Sequence, residues 1–283
     1  MIEITEIPFS LPISDTAILR GDIRWKKNTE KKFPVVIICH GFKAFKDWGP
    51  FPYIGQYFAQ QNFVSITFNF SHNGIGEHLR KFSEPEKFSN NTFSLELRDV
   101  EFLLEAITKE KLPCSFIDGK NIFFAGHSRG GGIAIIKAKE EHSIKAVAAW
   151  STVSHFDRYT DEQKERWRKN GSVLLHSISP NNPYRLTTAL LDDLEKNAER
   201  LNILKAVEHL QKPLLLIHGT ADIPVKIEEA KKLYEVSDKS LTEFIVLENV
   251  GHMYGAKHPY KIQSPTLEHI LELTVSWFNK HLL

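Results

Sequence analysis

The chain has 283 residues, and 36 Lys and Arg against 35 Asp and Glu leave a net charge of +1, too even for a phosphate-tracking nucleic-acid binder or a polybasic membrane patch. A composition that is 42% hydrophobic and 25% charged excludes intrinsic disorder, and a chain of this size buries enough surface to fold without disulfide or metal staples. Only Cys39 and Cys114 are present, which excludes a disulfide-rich scaffold and a CxxC zinc or redox site, and no stretch reaches the ~20 apolar residues of a spanning helix.

The first residues, Met1-Ile2-Glu3-Ile4-Thr5-Glu6, are acidic where a signal peptide is basic, so the expected location is the cytoplasm. Residues 1–32 are polar, with strand-like stretches near 2–9 and 17–25 and no helix between them, which predicts an antiparallel hairpin at a sheet edge. Short apolar runs follow at 35–39, 63–70, 121–125, 146–150, 214–217 and 244–247. They are rich in β-branched and aromatic residues and lack strict alternation, as strands buried on both faces do. Between them, residues 91–110, 225–235 and the stretch after Ser264-Pro265 repeat apolar residues at steps of three and four, the period of an amphipathic helix. Ser264 is a natural N-cap, with Pro265 at the first helical position. Strands alternating with helices predict an α/β fold with a mostly parallel sheet covered on both faces. Residues 155–208 are too long for a simple connection, are charged and then amphipathic, and have no flexible linker. They are read as a helical lid inserted in a single domain spanning 1–283.

The most informative string is Gly126-His127-Ser128-Arg129-Gly130, a G-x-S-x-G that follows an apolar run and opens a helical one. That is the setting of a nucleophile elbow: a sharp strand-to-helix turn brings the chain back on itself, and Gly126 and Gly130 avoid the clash. A serine hydroxyl needs a base to take its proton, and the base needs an orienting acid. In this architecture both follow the serine at the ends of later strands. His252, after the run 244–247, is the candidate base, and Asp222, after 214–217, the candidate acid. Asp222 also suits the cap of the next helix, and Asp157 is a weaker rival for the acid role. The oxyanion requires two fixed N–H donors. Arg129, next after the nucleophile, supplies one, and Phe42, in the loop Cys39-His40-Gly41-Phe42-Lys43, the other. His127 and Trp150 are candidate substrate contacts. Trp150, Phe156 and Trp167 lie near the start of the lid, where aromatic rings either stack on an acyl group or, the preferred reading, pack the lid onto the sheet.

His40-Gly41-Phe42, Gly126-His127-Ser128-Arg129-Gly130-Gly131, His218-Gly219-Thr220-Ala221-Asp222 and Gly251-His252 occur in that order, and with them residues 33–283 resemble the α/β-hydrolase superfamily. Within it the chain is similar to cinnamoyl and feruloyl esterases, to dienelactone-hydrolase-like proteins and to the catalytic domain of prolyl-oligopeptidase-type peptidases. Two departures are visible. Dienelactone hydrolases proper use Cys where this chain has Ser128. The Arg-Gly-x-Gly of many relatives reads Ser71-His72-Asn73-Gly74-Ile75-Gly76 here, so that arginine's role is not inherited. The resemblance implies a Ser128–Asp222–His252 triad. The expected activity is hydrolysis of a small carboxylic ester, with no cofactor or metal and with a small acyl substrate, not nucleic acid or membrane, as partner. Two alternatives stand beside it: a peptidase acting on short peptides or aminoacyl amides, with acidic lid residues holding the amine, and a non-catalytic binding protein on the same fold. Nothing in the sequence speaks to oligomeric state.

Overall fold

A computed structural model describes residues 2–78, 81–175 and 184–282. Strands β1 (Ile4–Pro12) and β2 (Ile18–Lys26) form the antiparallel hairpin read from the sequence, in register from Ile4 opposite Lys26 to Pro12 opposite Ile18. Then come β3 (Phe33–Cys39), α1 (Phe51–Gln60), β4 (Val64–Asn69), α2 (Pro85–Ser89), α3 (Phe93–Thr108), β5 (Ile117–His127), α4 (Arg129–Glu140) and β6 (Ile144–Trp150). An insertion follows with α5 (Asp161–Asn170), β7 (Ser172–Leu175), β8 (Tyr184–Thr187), α6 (Ala189–Lys196) and α7 (Ile203–Glu208). The chain then closes with β9 (Leu214–Gly219), α8 (Ile227–Val236), β10 (Thr242–Leu247) and α9 (Pro265–Lys280).

Eight strands form one sheet in the order β1-β2-β4-β3-β5-β6-β9-β10, with β1 and β2 antiparallel and every pairing from β4 onward parallel. Because β3 lies between β4 and β5, the chain winds first to one side of β3 and then to the other. The loops after β3 and β5 therefore part at the C-terminal edge, where open α/β sheets carry their sites. The central strands are buried on both faces: Val36, Ile38, Phe123 and Ala125 pack beneath α1 and α9, while Val35, Ile37, Ile122 and Phe124 pack against the α3–α4 side. This is why those runs show no alternation. The edge strand β10 is only half-buried.

The structure adds to the sequence reading. Helices α1 and α2 were not read from the sequence; in α1 Pro is tolerated in the first helical turn, and Phe51, Ile54, Phe58 and Ala59 give the helix one buried face. The insertion is also not wholly helical: β7 and β8 pair as an antiparallel ribbon, in register from Ser172 opposite Thr187 to Leu175 opposite Tyr184. Helix α5 begins in a capping box, with Thr160 and Gln163 bonding each other's backbone N–H, and ends at Gly171, whose φ of 69° turns the chain into β7. Runs of four residues are too short for periodicity to separate strand from helix. Part of the predicted lid, residues 176–183, lies outside the described residues.

Candidate active site

Strand β5 carries Ser128 to the C-terminal edge of the sheet, and α4 begins at the next residue. Ser128 has φ 57° and ψ −122°, a conformation that costs a non-glycine residue roughly 1–3 kcal/mol and has to be held by its surroundings. Its N–H donates to the Trp150 carbonyl at 2.9 Å, and its carbonyl accepts from Gly131 N–H at 3.1 Å and from the Thr152 hydroxyl at 3.0 Å. The predicted glycines are required by close approach. A Cβ on Gly126 would lie 2.6 Å from the Gly130 carbonyl oxygen, and one on Gly130 would lie 2.3 Å from that of Cys39.

The candidate acid and the candidate base follow adjacent strands. Beyond β9, Asp222 turns one carboxylate oxygen to each of two partners. Oδ1 accepts the Val225 N–H at 2.9 Å, and Oδ2 lies 2.8 Å from His252 Nδ1, on the loop beyond β10. The cap reading and the acid reading of Asp222 are thus satisfied together. An ionised carboxylate only accepts, so this contact places a proton on His252 Nδ1. The Asp222 side chain is fully buried, and that of His252 is 17% exposed. Burial pushes the Asp222 carboxyl up, but the hydrogen bonds from His252 and the Val225 N–H outweigh it and leave the group below its usual range. Asp157, the rival acid, pairs instead with Lys164 on α5.

The opposite side of Ser128 is the loop after β3. Gly41 lies so close that a Cβ there would be 3.1 Å from the Ser128 Cβ, which brings the backbone of Phe42 beside the nucleophile. Among the described residues no protein acceptor meets the Phe42 N–H, and Arg129, as the first residue of α4, has no intrahelical partner for its own. The loop is tied down from below. Lys46 Nζ, almost fully buried, bonds Asp22 at 2.7 Å and Asp47 at 2.9 Å, while the Lys46 N–H donates to Asn69 Oδ1 at 2.7 Å. Asp22 is also 3.1 Å from Arg24, which bonds Thr67 at 2.7 Å.

Two sequence expectations are corrected. Trp150 is not a substrate contact: it is 1% exposed in the core against α9, and its indole N–H donates to the Thr274 hydroxyl at 3.1 Å. Its contribution to the site is the carbonyl that holds Ser128. His127 is not placed to meet substrate either. It is buried, its ring centroid lies 4.6 Å from that of His252, and its Nε2 donates to the His252 carbonyl at 2.9 Å. Burial, reinforced by His252, pushes the His127 imidazole down to about 3, so it stays neutral and its one N–H is spent on the catalytic loop. His218, near the end of β9, backs Asp222. Its Nε2 donates to the Val225 carbonyl at 2.7 Å and sits 3.4 Å from Asp222 Oδ2. The only sequence signal for these two residues was their adjacency to the site motifs. The aromatic residues at the head of the insertion pack inward, Phe156 stacking on Phe93 at 4.2 Å and Trp167 donating to the Leu186 carbonyl at 3.0 Å.

A cavity of about 830 Å³, lined by Ile107, Leu112, Cys114 and Ile117, opens at the start of β5, at the far end of that strand from Ser128. It takes no part in this arrangement. Among the described residues no cluster of His, Cys, Asp and Glu could hold a metal ion, and no helix is long and apolar enough to cross a membrane.

The fold is that of the α/β hydrolases. The esterase domain of a Rhodothermus marinus protein matches at a TM-score of 0.63 and 17% identity, covering 99% of each chain. A dienelactone hydrolase from Anabaena variabilis matches at 0.63 and 16%, again covering 99% of each chain. Est1E from Butyrivibrio proteoclasticus matches at 0.64 and 19%, covering 96% of each chain. No curated protein matches the sequence. The model of the prolyl oligopeptidase family matches residues 51–282, a span that contains Ser128, Asp222 and His252. The chain belongs to the prolyl oligopeptidase family.

Proposed function

We propose that the protein is a serine hydrolase that cleaves a small carboxylic ester through an acyl-enzyme. The observation that carries this reading is the 2.8 Å contact between His252 Nδ1 and the buried Asp222 carboxylate, at the sheet edge where Ser128 occupies its strained turn. In this reading His252 Nε2 removes the Ser128 proton as Oγ attacks the ester carbonyl. The tetrahedral oxyanion is held by the N–H groups of Phe42 and Arg129. Collapse breaks the bond to the alkoxy group, which leaves as the alcohol with the proton from His252. Water, deprotonated by His252, then attacks the acyl-Ser128 ester, releasing the acid and restoring the hydroxyl. Asp222 stays ionised throughout and stabilises the imidazolium. The insertion, attached through Tyr184 against Phe88 and Thr187 against Ser89, would bound the acyl side of the site.

Family membership favours a second reading, a peptidase acting on short peptides or aminoacyl amides. Such an enzyme needs an anchor for the amine, and three acidic residues of the insertion are already engaged: Asp157 with Lys164, Asp192 with Arg168, and Asp193 with Asn197 and the Ser94 N–H. This supports the ester over the amide. The test compares turnover of short p-nitrophenyl esters with that of aminoacyl arylamides, with Ser128→Ala and a fluorophosphonate label as controls. Ester turnover that disappears in Ser128→Ala, together with a wild-type adduct on Ser128, is expected. Full activity in Ser128→Ala would sink the mechanism, and faster arylamide than ester turnover would select the peptidase.

A further inference from the structure

Arg129 offers the site two separate groups. Its backbone N–H stands beside Ser128 at the start of α4, while its guanidinium lies among aromatic rings, with Cζ 3.8 Å from the Phe42 centroid and 4.6 Å from that of Phe93. Nη1 meets Glu96 Oε1 at 3.3 Å, and Glu96, itself buried, accepts the Asn91 amide on the same oxygen at 2.7 Å. The rings extend outward on both sides: Phe42 is stacked on Phe88 at 5.8 Å and 15°, and Phe93 on Phe156 at 4.2 Å and 14°. The result is a column, Phe88–Phe42–Arg129–Phe93–Phe156, running from α2 through the loop after β3 and the elbow to α3 and the segment after β6.

Two members of that column, Phe42 and Arg129, carry the N–H groups assigned to the oxyanion. Arg129 is held in α4. Phe42 lies on a loop, and the next residue, Lys43, takes a φ of +62°. A donor on a loop is only as well placed as the side chains that fix it. A desolvated guanidinium face-on to a ring at van der Waals distance is a strong and directional fixing contact. An arginine next to a nucleophile invites the idea that it binds an anionic substrate group, but two rings and a carboxylate already occupy this one.

We propose that the Arg129 side chain is a positioning residue for the oxyanion hole: stacked on Phe42 and tied to Glu96, it fixes the Phe42 N–H in register with its own backbone N–H. The inference rests on the ester-hydrolase reading above. The oxyanion exists in the transition state and not in the bound ester, so loosening its donors lowers kcat and spares KM.

The experiment measures kcat and KM on a short p-nitrophenyl ester, and Ki for an aryl boronic acid whose adduct on serine places an oxygen in the hole. The proteins are wild type, Ser128→Ala, Arg129→Met, Arg129→Lys, Phe42→Leu and the Phe42→Leu/Arg129→Met double variant. Deleting an oxyanion donor costs roughly 10²–10³ in kcat, so a displaced donor is expected to cost roughly 10–100-fold in Arg129→Met, with KM within about twofold. Arg129→Lys keeps the charge but not the plane and should recover little of this. Boronate Ki should rise in step with the loss in kcat/KM, and Arg129→Met should add little in the Phe42→Leu background. Wild-type kcat in Arg129→Met with only a lower melting temperature would make the residue merely structural. A rise in KM alone would make it a substrate contact. Either result overturns the proposal. Should Arg129→Met fail to fold, Arg129→Lys and Phe42→Leu must each lower kcat at constant KM, or the proposal fails. If the wild type turns over no ester, or Ser128→Ala is equally active, the ester reading itself falls and this inference with it. Wild-type turnover with indifferent Arg129 variants overturns the inference alone.

Discussion

The two flanks of Ser128 are built from different forces. On the acid–base flank, hydrogen bonds set the geometry: His127 holds the His252 carbonyl, Asp222 holds the His252 ring, and the Val225 N–H holds Asp222, while His218 donates to the Val225 carbonyl and lies 3.4 Å from Asp222. On the oxyanion flank, stacked rings and buried charge carry more of the load: a column of rings above, and below it Lys46 between Asp22 and Asp47, with its N–H on Asn69. The contrast implies different vulnerabilities. The first flank should tolerate changes of volume but not of donor and acceptor identity, because its geometry is set by which nitrogen carries a proton. The second should tolerate changes of polarity at its rim but not the loss of a buried charge or a ring.

The sharpest test of that contrast is Asp222→Asn. It preserves volume and an acceptor for the Val225 N–H, but favours the wrong His252 tautomer. A fall of roughly 10⁴-fold in kcat with an essentially unchanged melting temperature is expected, read by ester turnover beside thermal unfolding. Lys46→Met tests the other flank. It leaves Asp47 and part of Asp22 buried without their cation, which should cost about 3 kcal/mol in urea unfolding and lower kcat as the Phe42 loop loosens. A stability loss confined to a few tenths would mean that Arg24 alone suffices for Asp22. His127→Phe is the smaller probe. It keeps the ring but leaves the His252 carbonyl without its donor, for about 1–2 kcal/mol of stability, together with a reduced kcat. If kcat does not change, His127 does not position the base loop.

The same contrast explains what the sequence disclosed. The placement of Ser128, Asp222 and His252 at one sheet edge was legible because each follows the end of an apolar strand, and strands buried on both faces leave an unmistakable run. The partners on the acid–base flank were not, since the contact of His127 with the carbonyl of His252 spans 125 positions and depends on how two loops curl at the sheet edge. On the oxyanion flank, the proposed backbone role of Phe42 follows from the His40-Gly41 motif. The guanidinium that stacks on its ring, and the Glu96 and Phe93 that complete the setting, belong to a face of α3 that periodicity reads only as apolar or polar. Trp150 was misread because an aromatic residue at a strand end looks the same whether it faces the site or α9. The ribbon β7–β8 was missed because four-residue runs carry no usable period.

Buried imidazoles on both flanks give the last prediction. Burial pushes His40, on the oxyanion side, down to about 4, and His127, on the other, down to about 3. In the unfolded chain both titrate near ~6.5. A folded pKa below the unfolded one means that the unfolded state binds more protons below ~6.5, so stability is present above that pH and drains away as the pH falls toward the folded values. Asp99 opposes this. Burial pushes its carboxyl up to about 7 from an ordinary 3.8, so between those two values acidification favours the folded state. Burial shifts His218 the same way as these two imidazoles and Glu96 the same way as Asp99, and the more numerous imidazoles leave a net decline, which urea unfolding at pH 7.5, 6 and 5 should record. Asp99→Asn removes the opposing contribution and should steepen the decline. His40→Phe and His127→Phe should each flatten it. If only one of them does, the pH sensitivity belongs to a single flank, and the symmetry drawn between them is broken.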